Sequence, residues 1–198
     1  MTQTRREFLQ ASGAVGLLGA LPNAGFAASE EMAVMAARPA RVQLAPSAYP
    51  QTEIWGYDGQ MPGPAIRLKQ GERVARRFVN ELPQASSVHW HGLRIDNAMD
   101  GVAGLTQDAV EPGNSFDYDF VAPDAGTFWF HAHNRSFEQV ARGLYGALIV
   151  EEPVAADVDR DVVLILGYWL LYPTTAQIGS VFGAPHRPRP PRPRGHYS

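Results

Sequence analysis

The chain has 198 residues, 45% of them hydrophobic, and a net charge of −3. This length and composition suit one ordinary domain and exclude a chain that is disordered throughout. Cys is absent, which excludes a disulfide scaffold, a thiolate zinc site, an iron–sulfur cluster and a blue-copper centre within this polypeptide. Residues 29–185 hold 11 of the 17 basic residues and 19 of the 20 acidic ones, so we predict no nucleic-acid partner.

Residues 1–28 carry the features of an export signal. Arg5 and Arg6 form a twin-arginine pattern, the apolar run over residues 11–21 is too short to span a bilayer, and residues 25–27 offer a small-x-small cleavage site. The alternative is a plain N-terminal helix. We predict a twin-arginine signal peptide, a periplasmic location and no membrane association after cleavage.

Short strand-like runs alternate with turn signals between residues 40 and 153. The 19 Gly and 16 Pro residues support many turns. This spacing predicts an all-β Greek-key β-sandwich, with one short helical stretch over residues 137–142. The predicted strands cover residues 41–44, 52–57, 65–69, 73–80, 87–95, 115–121, 127–133 and 147–151.

Four of the six histidines form two His-x-His pairs, His89 with His91 and His131 with His133. In a strand, residues i and i+2 point to the same face, so each pair presents two imidazoles together. Trp90 would then enter the core behind the first pair, with the small Ala132 behind the second. If the two strands are neighbours, four imidazoles meet in one patch.

An imidazole patch without thiolates suits copper, with zinc and nickel as competitors. The Cβ atoms of such a pair lie about 6–7 Å apart, which permits one shared ion or, more comfortably, ligands for different ions of a small cluster. Metal-bound histidines usually donate their second ring N–H to a carboxylate or carbonyl, and the nearest acidic residues are Asp96, Asp100 and Asp108. Trp55, Trp90 and Trp129 are interpreted as core residues. Arg94 and Arg142 are interpreted as solvated or as paired with acidic residues of the surface.

The C-terminal part of the chain differs from the body. Residues 161–171 are predicted to form an apolar strand that opens an incomplete second domain over residues 154–185. Residues 186–198 contain four Arg and four Pro and are predicted to form a disordered tail, either translated out of frame or serving as a proline-rich ligand. His186 and His196 belong to this tail and are not counted as ligands.

Four motifs stand in the order and spacing typical of one enzyme family: HWHG at 89–92, MDGV at 99–102, GTFWFHAH at 126–133 and GLYGALIV at 143–150. Through them, residues 40–185 resemble the N-terminal region of laccase-like multicopper oxidases. The resemblance implies a cupredoxin-like domain over residues 40–153 and copper as the cofactor. It also implies that the chain is truncated relative to the family.

The resemblance assigns each histidine a role. It implies that His89 binds the mononuclear type 2 copper and that His91, His131 and His133 bind the coupled type 3 pair, with His91 and His131 sharing one ion. Asp100 matches the family's carboxylate that orders water and helps to deliver protons near the cluster. The alternative for Asp100 is a turn residue before Gly101, and the two roles are compatible.

The family couples one-electron oxidation of a reducing substrate to the reduction of O2 to water. Its complete cluster takes eight histidines, and a Cys-containing type 1 copper accepts the electrons. Because this chain supplies four histidines and no Cys, we expect it to be inactive alone, as a fragment truncated by a frameshift or an early stop. The alternative is that an unidentified chain carrying the other half of the cluster restores activity. Phenols, metal ions such as Cu(I) or Mn(II), and bilirubin-like pigments are not distinguished as the reducing substrate.

Three other functions compete with this hypothesis. The main alternative is a stand-alone, non-catalytic periplasmic copper-binding module. A scaffold of the same fold that has lost its metals would have no reason to keep four paired histidines. A cupin-type mononuclear enzyme would need a Glu and a later single His at spacings that do not occur after His91.

Overall fold

The computed structural model describes residues 32–155 and 157–171. The predicted signal peptide, the predicted tail and residues 172–185 of the predicted second domain lie outside these residues. Within them, two four-stranded sheets form a β-sandwich, which confirms the predicted fold class. The strands are β1 (Ala33–Val42), β2 (Thr52–Tyr57), β3 (Gly63–Lys69), β4 (Arg73–Asn80), β5 (Val88–His91), β6 (Ser115–Val121), β7 (Gly126–Ala132) and β8 (Tyr145–Glu151).

The strand order is β2-β1-β4-β6 in the first sheet and β3-β8-β7-β5 in the second. Most neighbours are antiparallel, whereas β1 with β4 and β3 with β8 are parallel pairs that join strands distant in sequence. The two strands that carry the His-x-His pairs, β5 and β7, are neighbours, and β5 forms the edge of its sheet. The topology therefore meets the condition on which a common histidine patch depends.

The core lies between the two sheets and consists of the inward residues of each strand. Alternation places one side of every strand in this layer, and the transfer of apolar area from water provides the main stabilisation, about 25 cal/mol per Å². The largest side chains that are almost fully buried are Trp90, Tyr57, Tyr118, Phe78, Phe130, Ile54, Leu144 and Leu148.

Strand β1 begins eight residues before the predicted strand over residues 41–44. Pro39 argued against a strand at these earlier residues, because proline is disfavoured inside sheets. In the structure, the pairing of β1 with β4 runs from Ala33 and ends at Ala37. Pro39 lies beyond this point and has a single strand neighbour, Trp55 of β2. The missing N–H of Pro39 therefore removes no hydrogen bond to β4.

The prediction of a strand over residues 161–171 was wrong, because residues 161–170 contain no strand. No described strand pairs with residues 161–170, and an apolar stretch without a strand neighbour forms no hydrogen-bonded ladder. Leu171, at the end of the segment, forms a single bridge. Several of its apolar side chains are exposed, Leu166 at 95% and Tyr168 at 94%. The segment is tied to the sandwich by an ion pair between Asp161 and Arg67 and by the stacking of Trp169 on Tyr145.

The short helix α1 (Ser136–Arg142) confirms the predicted helical stretch and joins β7 to β8. Glu138 is buried on this helix and accepts hydrogen bonds from the guanidinium groups of Arg135 and Arg142. Among the described residues, no helix has the length and apolarity needed to cross a bilayer.

Candidate metal centre

The site is built on the antiparallel pairing of β5 with β7. The register places His89 directly opposite His131 and His91 opposite Trp129. The alternate pairs, Val88 with Ala132 and Trp90 with Phe130, face the core, and all four of these side chains are buried. His89, His91, His131 and Trp129 thus lie on one face of these strands and the four buried residues on the other, as the two-residue period requires. His133 follows directly after the end of β7.

The structure brings all four predicted histidines together. The ring centroid of His89 lies 5.4 Å from that of His91, 5.3 Å from His131 and 5.2 Å from His133. Ring nitrogens of His89, His91 and His131 lie within 4.8 Å of one another. The shortest approach joins Nδ1 of His91 to Nε2 of His131, at 3.3 Å.

Asp100 orients the His89 ring. With its proton on Nδ1, His89 donates a hydrogen bond to the backbone carbonyl of Asp100 at 2.8 Å, and the Asp100 carboxylate lies 3.3 Å from the same nitrogen. Nε2 of His89 is then the nitrogen available to a metal. Asp96 instead accepts from the Ala98 amide at the start of a 3-10 helix, and Asp108 is exposed. Of the three acidic candidates, Asp100 is therefore the one beside a histidine.

His131 is buried and held in one orientation. Its Nδ1–H donates to the Ala132 carbonyl at 3.0 Å, which directs Nε2 towards His91. Burial lowers the pKa of His131 to about 4; the bond to Ala132 opposes this shift, and the neighbouring imidazoles reinforce it. The ring is consequently neutral at neutral pH, the state in which a histidine binds a metal.

The edge strand β5 is held by contacts that the sequence did not reveal. The amide of Val88 donates to the buried hydroxyl of Tyr118 on β6, at 2.9 Å. Gly101, in the loop after Asp100, packs so closely against β5 that a Cβ atom there would overlap the Val88 carbonyl oxygen. Alternation predicts that Tyr118 faces the core, but no local pattern tells which backbone group its hydroxyl reaches.

The tryptophan assignments hold in part. Trp90 is buried in the core, and Trp55 is half-buried, with the Arg142 guanidinium 4.5 Å from its ring centroid. The prediction that Trp129 belongs to the core was wrong, because Trp129 is 39% exposed and its ring stacks on that of His131 at a centroid distance of 4.1 Å. The signal was present in the sequence, since Trp129 precedes His131 by two residues and must share its face.

The two arginines interpreted as paired or solvated both form ion pairs. Arg94 contacts Asp124 at 2.6 Å, and Arg142 contacts Glu138 at 3.0 Å. Neither contact involves a histidine. Neither arginine is therefore paired with the imidazole patch.

The donor set fits a late first-row metal ion. It offers imidazoles and an adjacent carboxylate, and it contains no thiolate, which is the ligand set of copper, zinc and nickel sites rather than of iron–sulfur or blue-copper centres. Carbonyl oxygens hold Nδ1 of both His89 and His131 and leave Nε2 of each ring for the metal.

Comparison with known proteins connects this arrangement to one family. The sequence model described as multicopper oxidase matches residues 40–155. Copper resistance protein A of Pseudomonas syringae pv. tomato is 34% identical to the chain over 177 residues, which cover 84% of this chain and 29% of that protein.

Solved structures give the same result. Lac15 from a marine microbial metagenome is 58% identical, with a TM-score of 0.62, over 65% of this chain and 34% of that chain. A multi-copper oxidase from Pseudomonas thermotolerans is 42% identical, with a TM-score of 0.60, over 64% of this chain and 30% of that chain. The chain therefore spans about a third or less of the length of these relatives.

Proposed function

The chain belongs to the multicopper oxidase family, and we propose that it supplies four histidine ligands of a type 2 and type 3 copper cluster. In this proposal His89 binds the type 2 copper, and His91, His131 and His133 bind the type 3 pair. Copper held by these histidines would pass electrons from a reducing substrate to O2, which is reduced to water. The single observation that carries the proposal is the direct cross-strand pairing of His89 with His131.

The contact between His91 and His131 supports a shared ion at these two residues. Two imidazole nitrogens that both expose lone pairs repel each other at 3.3 Å unless a proton or a cation lies between them. Because Nδ1 of His131 is occupied by the Ala132 carbonyl, its Nε2 carries a lone pair. In the metal-free chain His91 donates a proton to that lone pair, and a copper ion would replace this proton.

Asp100 has two roles in the proposal. Its backbone carbonyl fixes the His89 tautomer, so that Nε2 of His89 is the ligand atom. Its carboxylate, partly exposed beside the ring, is placed to hold water and pass protons at the edge of the cluster. Because the side chain keeps contact with solvent, it can exchange protons with bulk water.

The polypeptide alone should neither oxidise phenols nor reduce O2. It contains no Cys for a type 1 copper, and the described residues gather four histidines. A partner that carries the other half of the cluster would complete the oxidase. Oxygen consumption by the purified chain with copper and a phenolic substrate would contradict this part of the proposal.

Copper titration of the full chain tests the ligand assignment. We expect tight Cu(II) binding that is lost in the His89→Ala, His131→Ala double variant and kept when His186 and His196 are replaced by Ala. The tail variant is a matched control because it removes the same number of imidazoles. Equal loss in both double variants would contradict the assignment.

The proposed location is the periplasm, reached by the twin-arginine route. Arg5 and Arg6 support this proposal, together with the short apolar run over residues 11–21. Replacing both arginines by Lys should retain the chain in the cytoplasm of a host with that pathway, as cell fractionation would show. Recovery of the Lys variant in the periplasmic fraction, in the same amount as the native chain, would contradict the proposal.

A second candidate is a copper-binding module without oxidase activity. The self-contained core between the two sheets favours it, since this part of the chain buries its own apolar residues. Under this function the chain would be a stable monomer that binds copper, and addition of a cysteine-containing partner domain from a relative would not generate oxygen consumption.

A further inference from the structure

We propose that Trp129 is a positioning residue that holds the rings of His91 and His131 in the orientation that a shared copper ion requires. This inference rests on the proposed copper-binding function. It concerns a residue that contacts the ligands without being one of them. Its basis is the arrangement of aromatic rings on the outer face of β5 and β7.

Trp129 stands on the histidine face by its place in the strand. Trp129 and His131 are two residues apart on β7, so their side chains point to the same side. Across the strands, the register sets Trp129 opposite His91. The indole is therefore next to one ligand along its own strand and to another on the neighbouring strand.

The rings are in contact with both ligands. The indole and the His131 imidazole are stacked, with centroids 4.1 Å apart and an interplanar angle of 30°. The indole and the His91 ring lie 5.0 Å apart at 38°. The 5.0 Å separation is typical of attractive aromatic pairs, and the 4.1 Å stack is closer still. At such separations the indole occupies space into which either imidazole would have to turn.

Within the described part of the chain, the His91 ring lacks the backbone carbonyl contact that holds His89 and His131. Its side chain is exposed and lies on the edge strand. Among residues 32–155 and 157–171, the one hydrogen-bonding partner of its ring is His131, itself a member of the cluster. His89 and His131 each have a carbonyl that fixes the ring, whereas His91 has the Trp129 indole in that place.

The solvent exposure of Trp129 supports this role for the indole. A tryptophan that served only the hydrophobic effect would face the core, as Trp90 does, yet Trp129 leaves 39% of its surface in water. The part of the ring that is not exposed lies against His131 and His91. Groups that orient metal ligands typically change metal affinity by about 10–100-fold when removed.

The test compares Trp129→Leu with Trp129→Phe in the full chain, and Trp55→Leu is the matched control, since that ring contacts Arg142 instead of a histidine. We expect Trp129→Leu to weaken Cu(II) binding about tenfold and Trp129→Phe to keep it within about threefold. Trp55→Leu should leave the affinity unchanged. Far-UV circular dichroism checks folding, and Trp129→Gln replaces the Leu variant if that variant unfolds.

A second readout needs no metal. In metal-free protein labelled with 15N-histidine, the ring signals of His91, assigned with His91→Gln, report whether the imidazole keeps one orientation. In Trp129→Leu we expect the His91 ring signals to be averaged over several ring orientations. In Trp129→Phe we expect the same signals as in the native chain. Either wild-type ring signals or wild-type Cu(II) affinity in Trp129→Leu would overturn the inference. If the native chain fails to bind Cu(II), the proposed function fails, and the metal-free ring signals alone decide the role of Trp129.

Discussion

The hydroxyl of Tyr118 accepts a hydrogen bond from the backbone amide of Val88, the residue immediately before His89, at 2.9 Å. Tyr118 belongs to one sheet and Val88 to the other, so this bond crosses the sandwich. It satisfies an amide that the edge strand β5 would otherwise leave unpaired in the core. The position of the first histidine pair therefore depends on a side chain of the opposite sheet.

Replacing Tyr118 by Phe should destabilise the chain by about 1–3 kcal/mol, because a buried N–H loses its partner while the ring volume is kept. Urea unfolding followed by fluorescence would measure this loss. Tyr49→Phe, at an exposed tyrosine, is the control and should stay within about 0.5 kcal/mol. Equal midpoints for the Tyr118→Phe variant and the native chain would mean that the Val88 amide does not need this acceptor.

The Asp100 carboxylate should contribute to metal affinity beyond the contribution of its backbone. Asp100→Asn leaves the carbonyl that accepts from His89 and removes the negative charge 3.3 Å from the ring. We expect about a tenfold loss in Cu(II) affinity with unchanged stoichiometry, measured by titration against a competing chelator. Asp108→Asn removes the same charge from an exposed position and should leave the affinity unaltered. An equal effect of the two changes would point to net charge as the cause.

Gly101 should tolerate no side chain. Its φ is +77°, and a Cβ atom would overlap the Val88 carbonyl, so Gly101→Ala should cost about 3–5 kcal/mol or prevent folding. Gly104 has a φ of +79° with no atom within 4 Å of such a Cβ, so Gly104→Ala isolates the backbone strain and should cost about 1 kcal/mol. Thermal unfolding of both variants separates the two terms. Similar melting temperatures would refute the steric account.

Glu138 should make stability depend on pH in the acid range. Burial raises the pKa of Glu138, but hydrogen bonds from Arg142 and Arg135 outweigh it, so the folded pKa lies below the ordinary 4.5. The folded state therefore binds the proton less readily than the unfolded state. The stabilisation is complete above about pH 5 and is lost as the pH falls below 4.5 through the folded pKa.

The variant Glu138→Gln tests this pH dependence. It should be less stable than the native chain by about 1–3 kcal/mol at pH 7, and the difference should shrink towards pH 3. Glu53→Gln breaks an exposed pair with Arg41 and should cost less than about 1 kcal/mol at any pH. Histidine titration affects all these proteins alike and cancels in the comparison. A difference that stays constant from pH 7 to pH 3 would exclude the proposed pairing.

The two-residue period of a strand allowed much of the site to be predicted. It placed His89 with His91 on one face, sent Trp90 into the core, and set Ala132 behind the second pair, as the structure has them. The same rule puts Trp129 on the histidine face. The prediction that Trp129 belongs to the core was wrong because a large apolar ring was assumed to be buried whatever its position in the strand.

Residues 161–170 show the converse limit. Their apolar composition predicted a strand, but strand formation depends on a hydrogen-bonding neighbour, and the described residues offer none. Composition reports what a segment would gain by burial. It does not report whether another strand lies within reach.

The sequence by itself determined which residues share a face, because strand geometry is local and repeats every two residues. The tertiary structure decided that β5 lies beside β7, that His89 is opposite His131, and that Asp100 is the carboxylate beside the His89 ring. These relations join residues 11 to 44 positions apart in the chain. They follow from the packing of two sheets around one core, which no local pattern of side chains specifies.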